Sequence, residues 1–455
     1  MAYLPTWRLL DATILRNTEM SSPSPTPSYL AVLRAPHAVR TFAAAMAGRF
    51  SYGIVFIALT VALTQATGSY GLAGTAIALF GLGTLLLAPA RAGLIDRHGP
   101  RHALPPMAIA YAILLAGLTA ATWRPDAPGW LLLALSVAAG ACAPPLGPVM
   151  RTLWSNLLPD PALRQRAFAL DTVAEELLYV AGPLVAGLFI ALDTPALGIA
   201  ASAFLVLAGT LAMVSSPLAG RWPTNESGRN ARSVRPGPRL PRGIAELSEP
   251  VIVISGVGTG MGGLSLLVVA FAEHHHRVAA VAWIEATLAA GSAIGGIVYG
   301  ARTWRLSQRT RLPLLGGALA MAIGVAGFSP GIPVLVVVVG FVGLFVAPAL
   351  STAYLVADLS APPSARTRAA TWVNMAFNAG SSGGVAVAGL LLNRLPLSLC
   401  FLVVTVPALL SAAAVLVRVA WSAHSGLNSE PDDPTAHAAS TSNSSRDLER
   451  RLGTR

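Results

Sequence analysis

Twelve apolar runs of membrane-spanning length, parted by short polar segments, decide what this chain can fold into. A helix needs about 20 apolar residues to cross the hydrocarbon core of a bilayer. The runs fall at 41–65, 70–90, 104–123, 128–150, 167–191, 195–217, 250–272, 278–300, 312–330, 333–355, 369–392 and 397–417. Backbone groups in lipid must pair within their own segment, so each run is predicted to be a helix. The fold class is therefore an all-α membrane protein with 12 transmembrane helices. Charged residues are only 11% of the chain. A water-soluble domain carries about 25%, so there is too little polar surface here to face water all round.

Arginine placement sets the expected orientation. The chain has 31 basic residues, all arginine. With both termini inside, 27 of the 31 fall in inner segments. Arg124, Arg277 and Arg394 fall outside, and Arg49 lies within the first run. That asymmetry predicts a multi-pass protein of the cytoplasmic membrane with both termini in the cytoplasm. It also accounts for the net charge of +11 without a nucleic-acid partner.

The polar stretch 218–249, rich in Arg, Pro, Gly and Ser, divides the runs six and six. The expected layout is an N-terminal segment 1–40, a six-helix half 41–217 and a cytoplasmic linker 218–249. A second half, 250–422, and a Ser/Asn/Asp-rich disordered tail, 423–455, follow. No cleavable signal peptide is evident in residues 1–40, and Met20 is a candidate start. A repeat supports the two halves. Arg164-Gln165-Arg166-Ala167 and Arg366-Thr367-Arg368-Ala369 open the fifth and eleventh runs. The same offset of 202 superposes Gly182 on Gly384, Gly187 on Gly389 and Glu176 on Asn378.

Between the second and third runs lies Ala92-Gly93-Leu94-Ile95-Asp96-Arg97-His98-Gly99-Pro100-Arg101. This island resembles the signature loop of major facilitator superfamily transporters, Gly-x-Leu-x-Asp-Arg-x-Gly-Arg-Arg. Leu94, Asp96, Arg97, Gly99 and Arg101 match; Ala92 replaces the first Gly and Pro100 one Arg. The resemblance covers about residues 40–420 and implies a secondary transporter working by alternating access, with its site between the halves near the midplane. It also implies an inner gate. Asp96 is expected to face the N-terminus of the eleventh helix, near Arg366 and Arg368, where free N–H groups favour a carboxylate. Gly99 permits the turn, and Arg97 and Arg101 are expected at the lipid headgroups. The second half has only Gly300-Ala301-Arg302-Thr303-Trp304-Arg305, without the Asp.

The fifth run is unusually acidic, with Asp171, Glu175 and Glu176. Counted from Arg166, Glu175 and Glu176 lie about 14–15 Å along the helix, near the middle of the membrane. Charges at that depth are costly and mark a substrate or proton path. Arg49, in the same half, is expected either to pair with Glu175 or Glu176 or to reach the inner headgroups. Glu285, about 10 Å into the eighth run, is either a second protonatable group or a residue of a wet vestibule. Asn374 and Asn378 either line the cavity or bond between helices.

Gly182-Pro183-Leu184-Val185-Ala186-Gly187 resembles the fifth-helix motif of drug/proton antiporters, which implies export. The fourth-helix motif departs from the family: Ser136 stands where an Arg is usual, four before Gly140. Pro144, Pro145 and Pro148 suggest a kinked or partly opened fourth helix. His274-His275-His276 reads as a solvated loop and not as a metal site. No nucleotide-binding loop or catalytic motif is present, so neither an enzyme nor a cofactor is expected. The expected partners are a small-molecule substrate, membrane lipids and protons as coupling ion. The expected activity is proton-linked export of a small, amphipathic compound. The rivals are an uptake permease or uniporter for a polar metabolite, and a polytopic enzyme or sensor.

Overall fold

The computed structural model describes residues 28–123, 127–220, 222 and 242–427. The expectations for the N-terminal stretch before residue 28, for Met20, for most of the 218–249 linker and for the tail from 428 lie outside these residues.

The described residues fold into helices, with no strand among them. In chain order they are α1 (Tyr29–Arg34), α2 (Ala38–Thr67), α3 (Tyr70–His98), α4 (Pro100–Thr122), α5 (Gly129–Cys142), α6 (Leu146–Leu157), α7 (Pro161–Ala191) and α8 (Pro195–Val214). There follow the single turn α9 (Pro217–Gly220), α10 (Arg242–His274), α11 (Ala280–Ala301), α12 (Gln308–Ala326), α13 (Ile332–Ser360), α14 (Arg366–Leu392) and α15 (Leu397–Leu427). Eleven helices, with α5 and α6 taken together as one, are long and apolar enough to cross a membrane. The sequence predicts twelve. A helix does occupy the ninth run, but α12 opens with Gln308, Arg309 and Arg311 and does not reach that apolarity.

Local sequence explains the helix ends. Ser69 caps α3 by accepting from the Leu72 N–H at 3.2 Å. Asp160 caps α7 ahead of Pro161, and its carboxylate accepts from the Ala162 N–H at 2.9 Å. Gly68 ends α2 in the left-handed conformation, φ 65°. Several helices run beyond their apolar cores: α3 continues to His98 and α13 to Ser360. Arg91 and Asp358 are therefore inside helices and not in loops.

Close helix contacts rest on small residues, as is usual where lipid supplies no hydrophobic drive. A Cβ on Gly182 of α7 would lie 2.5 Å from the Cα of Gly53 on α2, so the two backbones touch. Gly384 of α14, at the repeat offset, touches Thr259 and Gly263 of α10 in the same manner. The helices α7 and α14 are also the ones that reach across the bundle. The first packs on α11 and α13, the second on α3 and α6.

Candidate functional site

Four charged side chains meet deep in the bundle. Asp171, fully buried on α7, receives both terminal nitrogens of Arg49 from α2, at 3.1 and 3.3 Å. The Nε of Arg151, from α6, lies 3.0 Å from the other side of the same carboxylate. Arg151 also donates through Nη2 to Glu175, one turn further along α7. Two arginines thus neutralise two carboxylates, which is the condition under which buried charges are tolerated. The face of the Arg151 guanidinium rests 3.6 Å from the ring centroid of Tyr354 on α13. Arg49 pairs with Asp171, not with Glu175 or Glu176 as the sequence suggests. The reason is register: Asp171 lies one turn closer to α2 and α6, and Arg151 takes Glu175. The fourth run ends at 150, which by sequence leaves Arg151 just outside it; in the fold its side chain is 1% exposed.

Glu176, next to Glu175 on α7, takes no part in these ion pairs. It is half-buried and makes no hydrogen bond or ion pair among the described residues. Glu285 lies on the stripe of α11 that carries Ser292 and Gly296. A Cβ on Gly296 would press on Val173 of α7, so that stripe faces α7. Glu285 is exposed there, also without a polar partner among the described residues. Asn378 donates to the Asn374 carbonyl at 3.0 Å and to its side-chain oxygen at 2.5 Å, so the pair bonds along α14 and not between helices.

The fourth run is broken between α5 and α6 at Ala143-Pro144-Pro145. A proline has no N–H for the carbonyl four residues earlier. Pro144 therefore deprives Gly140, and Pro148 deprives Pro144. The Ala143 N–H reaches the Gly140 carbonyl at 3.3 Å and the Leu146 N–H that of Pro144 at 2.9 Å, and other helices supply further donors. Arg91 of α3 donates to the Gly140 carbonyl at 2.9 Å and to that of Ala143 at 2.5 Å. Thr84 adds a bond to Gly140 at 3.2 Å, and the Tyr52 hydroxyl of α2 donates to Pro144 at 2.5 Å. Ser136 is buried and bonds its own helix at Leu132, so the arginine that reaches this helix comes from α3.

The arginine-rich end of the bundle is laced together by polar contacts. Asp96 accepts from the backbone N–H of Thr367 at 3.2 Å and of Arg368 at 3.1 Å, in the first turn of α14. The Arg368 side chain approaches at 3.7 Å. Gly99 adopts φ 77° between α3 and α4, the left-handed region that the turn needs glycine for. Arg97 and Arg101 are both exposed, and Arg101 also donates to the Ser216 carbonyl at 3.2 Å. Arg366 does not join Asp96. It bonds Asn156 at 3.1 Å and lies 3.4 Å from Asp358, which Arg164 of α7 approaches at the same distance.

At the matching place on α11, where no Asp exists, the polarity is reversed. The carbonyls of Tyr299 and Arg302 accept from Gln165, each at 3.1 Å, and that of Ala301 from Arg166 at 2.9 Å. The donors are side chains from the start of α7 and the acceptors are the open end of α11. Thr152 and Thr367 join α6 to α14 through hydroxyls 3.3 Å apart.

Sequence reasoning missed Arg91, Arg151, Gln165, Tyr354 and Asp358. A signal existed for the arginines and Asp358, each within three residues of an apolar run. None existed for Tyr354, whose role comes from what stands above it. Among the described residues no three His, Cys, Asp or Glu side chains are grouped to hold a metal ion, and His275 stacks on Phe271 with centroids 4.3 Å apart.

Comparison with known proteins places this geometry. The family model of the Major Facilitator Superfamily matches residues 41–276 and 250–445. The chain is 27% identical over 397 residues to the multidrug efflux pump Tap of Mycobacterium tuberculosis (strain ATCC 25618 / H37Rv), covering 82% of this chain and 91% of the relative. The same pump of Mycobacterium bovis (strain ATCC BAA-935 / AF2122/97) matches equally, at 27% identity. Among solved structures, the human organic anion transporter MFSD10 (TETRAN) superposes with a TM-score of 0.65 at 16% identity, over 86% of this chain and 100% of that one. A bacterial homologue of the iron transporter ferroportin in its outward-facing state gives 0.62 at 15% identity, over 85% and 99%. With its multi-pass helical fold and a model match spanning most of its length, the chain belongs to the Major Facilitator Superfamily.

Proposed function

We propose that this transporter exports a small amphipathic compound in exchange for protons, by alternating access between two six-helix halves, 41–217 and 250–422. The arginine-rich end faces the cytoplasm, as do both termini and the 218–249 linker. On this reading the contacts of Asp96, Asp358, Gln165 and Arg166 close the cytoplasmic side, and the site between the halves opens outward. Cytoplasmic opening breaks them.

The observation that carries the reading is the buried cluster of Arg49, Arg151, Asp171 and Glu175 with Glu176 beside it. An antiporter needs a carboxylate that gains and loses a proton at different stages of its cycle. Glu176 has no ion pair to break on protonation. Glu175 must give up Arg151, which ties its proton to a structural change. Asp171, held from both sides, is the fixed anchor. Cargo released outward is replaced by a proton, which is released inward after the halves rock. The multidrug efflux relatives support the direction, as does the Gly182-Pro183 motif of α7.

Ethidium transport in inside-out vesicles tests this. An imposed gradient, acid inside, is expected to drive dye into the vesicle lumen, and a protonophore to stop it. Equal flux with and without the gradient means a uniporter, and flux in the opposite sense means an uptake permease.

A further inference from the structure

The acidic cluster and the closed end of the bundle share one residue. Arg151 lies on α6, a helix of 12 residues cut off from α5 by the break at Pro144 and Pro145. One edge of its guanidinium serves Asp171 and Glu175 on α7. Its Nη1 is buried with no hydrogen-bond acceptor, and the guanidinium lies 3.6 Å from the Tyr354 centroid on α13. A desolvated guanidinium stacked on an aromatic face is strongly held. The rest of α6 carries further links to the helices beyond α10. Thr152 meets Thr367, and Asn156 accepts from Arg366.

The groups facing the cluster can be named from every side. They are Arg49 from α2, Arg151 from α6, Asp171, Glu175 and Glu176 from α7, and Tyr354 from α13, with Tyr179 of α7 close to Glu175 and Tyr354. Of the cations, only Arg151 touches both the acids and the opposite side of the bundle. Among the described residues, Arg49 forms its ion pair with Asp171.

We propose that Arg151 is the relay by which the charge on Glu175 sets the closure of the arginine-rich end, with Tyr354 as its counterpart across the bundle. With Glu175 ionised, two anions on α7 hold Arg151 in place over the Tyr354 ring, as the structure has it, and the end stays closed. With Glu175 neutral, the guanidinium loses one of the two anions that hold it over the ring, so Tyr354 is released and α13 and α14 can undock. Arg151 is thus a positioning residue for the transport cycle and not a cargo ligand. The relay deepens the alternating-access reading and rests on it, because it assumes that this end opens.

The test is a double-substitution cycle read at the gate. In a chain with Cys142 and Cys400 replaced by alanine, Thr152→Cys and Thr367→Cys form a reporter pair whose oxidative cross-linking in proteoliposomes measures closure. Glu175→Gln is expected to lower the ratio of closed to open protein by about threefold or more. In a Tyr354→Leu background the same substitution is expected to change nothing. Tyr354→Phe, which keeps the ring, restores the response. Arg151→Lys keeps a cation for the acids but loses the flat stacking face, and it is expected to behave as Tyr354→Leu does, which keeps the test usable if the leucine variant does not fold. Additive effects of Glu175→Gln and Tyr354→Leu overturn the relay, as does a leucine variant that behaves like phenylalanine or no effect of Glu175→Gln in the parent. A non-additive cycle in a protein whose ethidium flux ignores the pH gradient keeps the relay and removes the proton.

Discussion

A buried arginine destabilises a protein unless its charge is met, and the charges of three arginines here are met in three ways. Arg49 has a carboxylate taken by both terminal nitrogens. Arg91 has no carboxylate and is held by carbonyl oxygens at the end of α5, where the helix dipole favours a cation. Arg151 has two carboxylates and a ring. Removing one partner of such a set strands the other charge, at a cost of about 3–5 kcal/mol. Asp171→Asn is therefore expected to reduce folded protein sharply, seen as lost monomer in detergent and a lower Tm. Glu176→Gln removes no partner. It is expected to keep yield and Tm near the parent's while gradient-driven ethidium flux falls at least tenfold. Normal, pH-responsive flux in Glu176→Gln excludes that residue as the proton carrier, and Glu285 becomes the next candidate. From the sequence Asp171, Glu175 and Glu176 are expected at costly depth, with Arg49 in the same half. The sequence does not show who pairs with whom, because register between helices distant in the chain depends on packing. Arg91 and Arg151 stayed hidden because an apolar run is judged to end at its first arginine, whatever a neighbouring helix offers that arginine.

At the scale of helices, small residues and prolines decide which surfaces touch. Gly182 and Gly53 bring α7 and α2 into backbone contact, and this contact places Asp171 and Glu175 opposite Arg49 and α6. Gly182→Val inserts bulk where a Cβ alone would lie 2.5 Å from Gly53. It is expected to destabilise the protein by about 1–3 kcal/mol and lower Tm. Gly187→Val is the internal control: a Cβ there meets nothing within 4 Å, so Tm is expected to hold. Equal effects of the two mean that the motif acts through something other than this contact. The apolar runs located each helix well, since a membrane demands length and apolarity together. They did not reveal the separation of α5 from α6, although the prolines flagged a distortion. Nor did they reveal the reversed contact at α11, where Gln165 and Arg166 replace a missing aspartate.

For the whole molecule the decisive pattern is the skew of arginine toward one end. If that end is cytoplasmic, a single cysteine replacing Asn230 is shielded from an impermeant maleimide in intact cells, and one replacing His275 is labelled. The reverse result turns the protein over and changes export into import. The repeat offset of 202 is visible in packing as well as in letters, since Gly182 seats α7 on α2 and Gly384 seats α14 on α10. The interrupted fourth run has a further consequence, for the order in which the protein is built. Its pieces, of 14 and 12 residues, are each about 20 Å long and too short to cross a bilayer of about 30 Å, so the run must enter the membrane as one segment. Within it the Gly140 and Pro144 carbonyls keep only short-range bonds, from the Ala143 and Leu146 N–H groups, in place of the helical bonds that proline removes. Tyr52, Thr84 and Arg91, which supply the further bonds, all lie earlier in the chain. During synthesis the donors are already in the bilayer when the broken segment arrives, so vectorial translation delivers each such acceptor to a partner that is waiting for it.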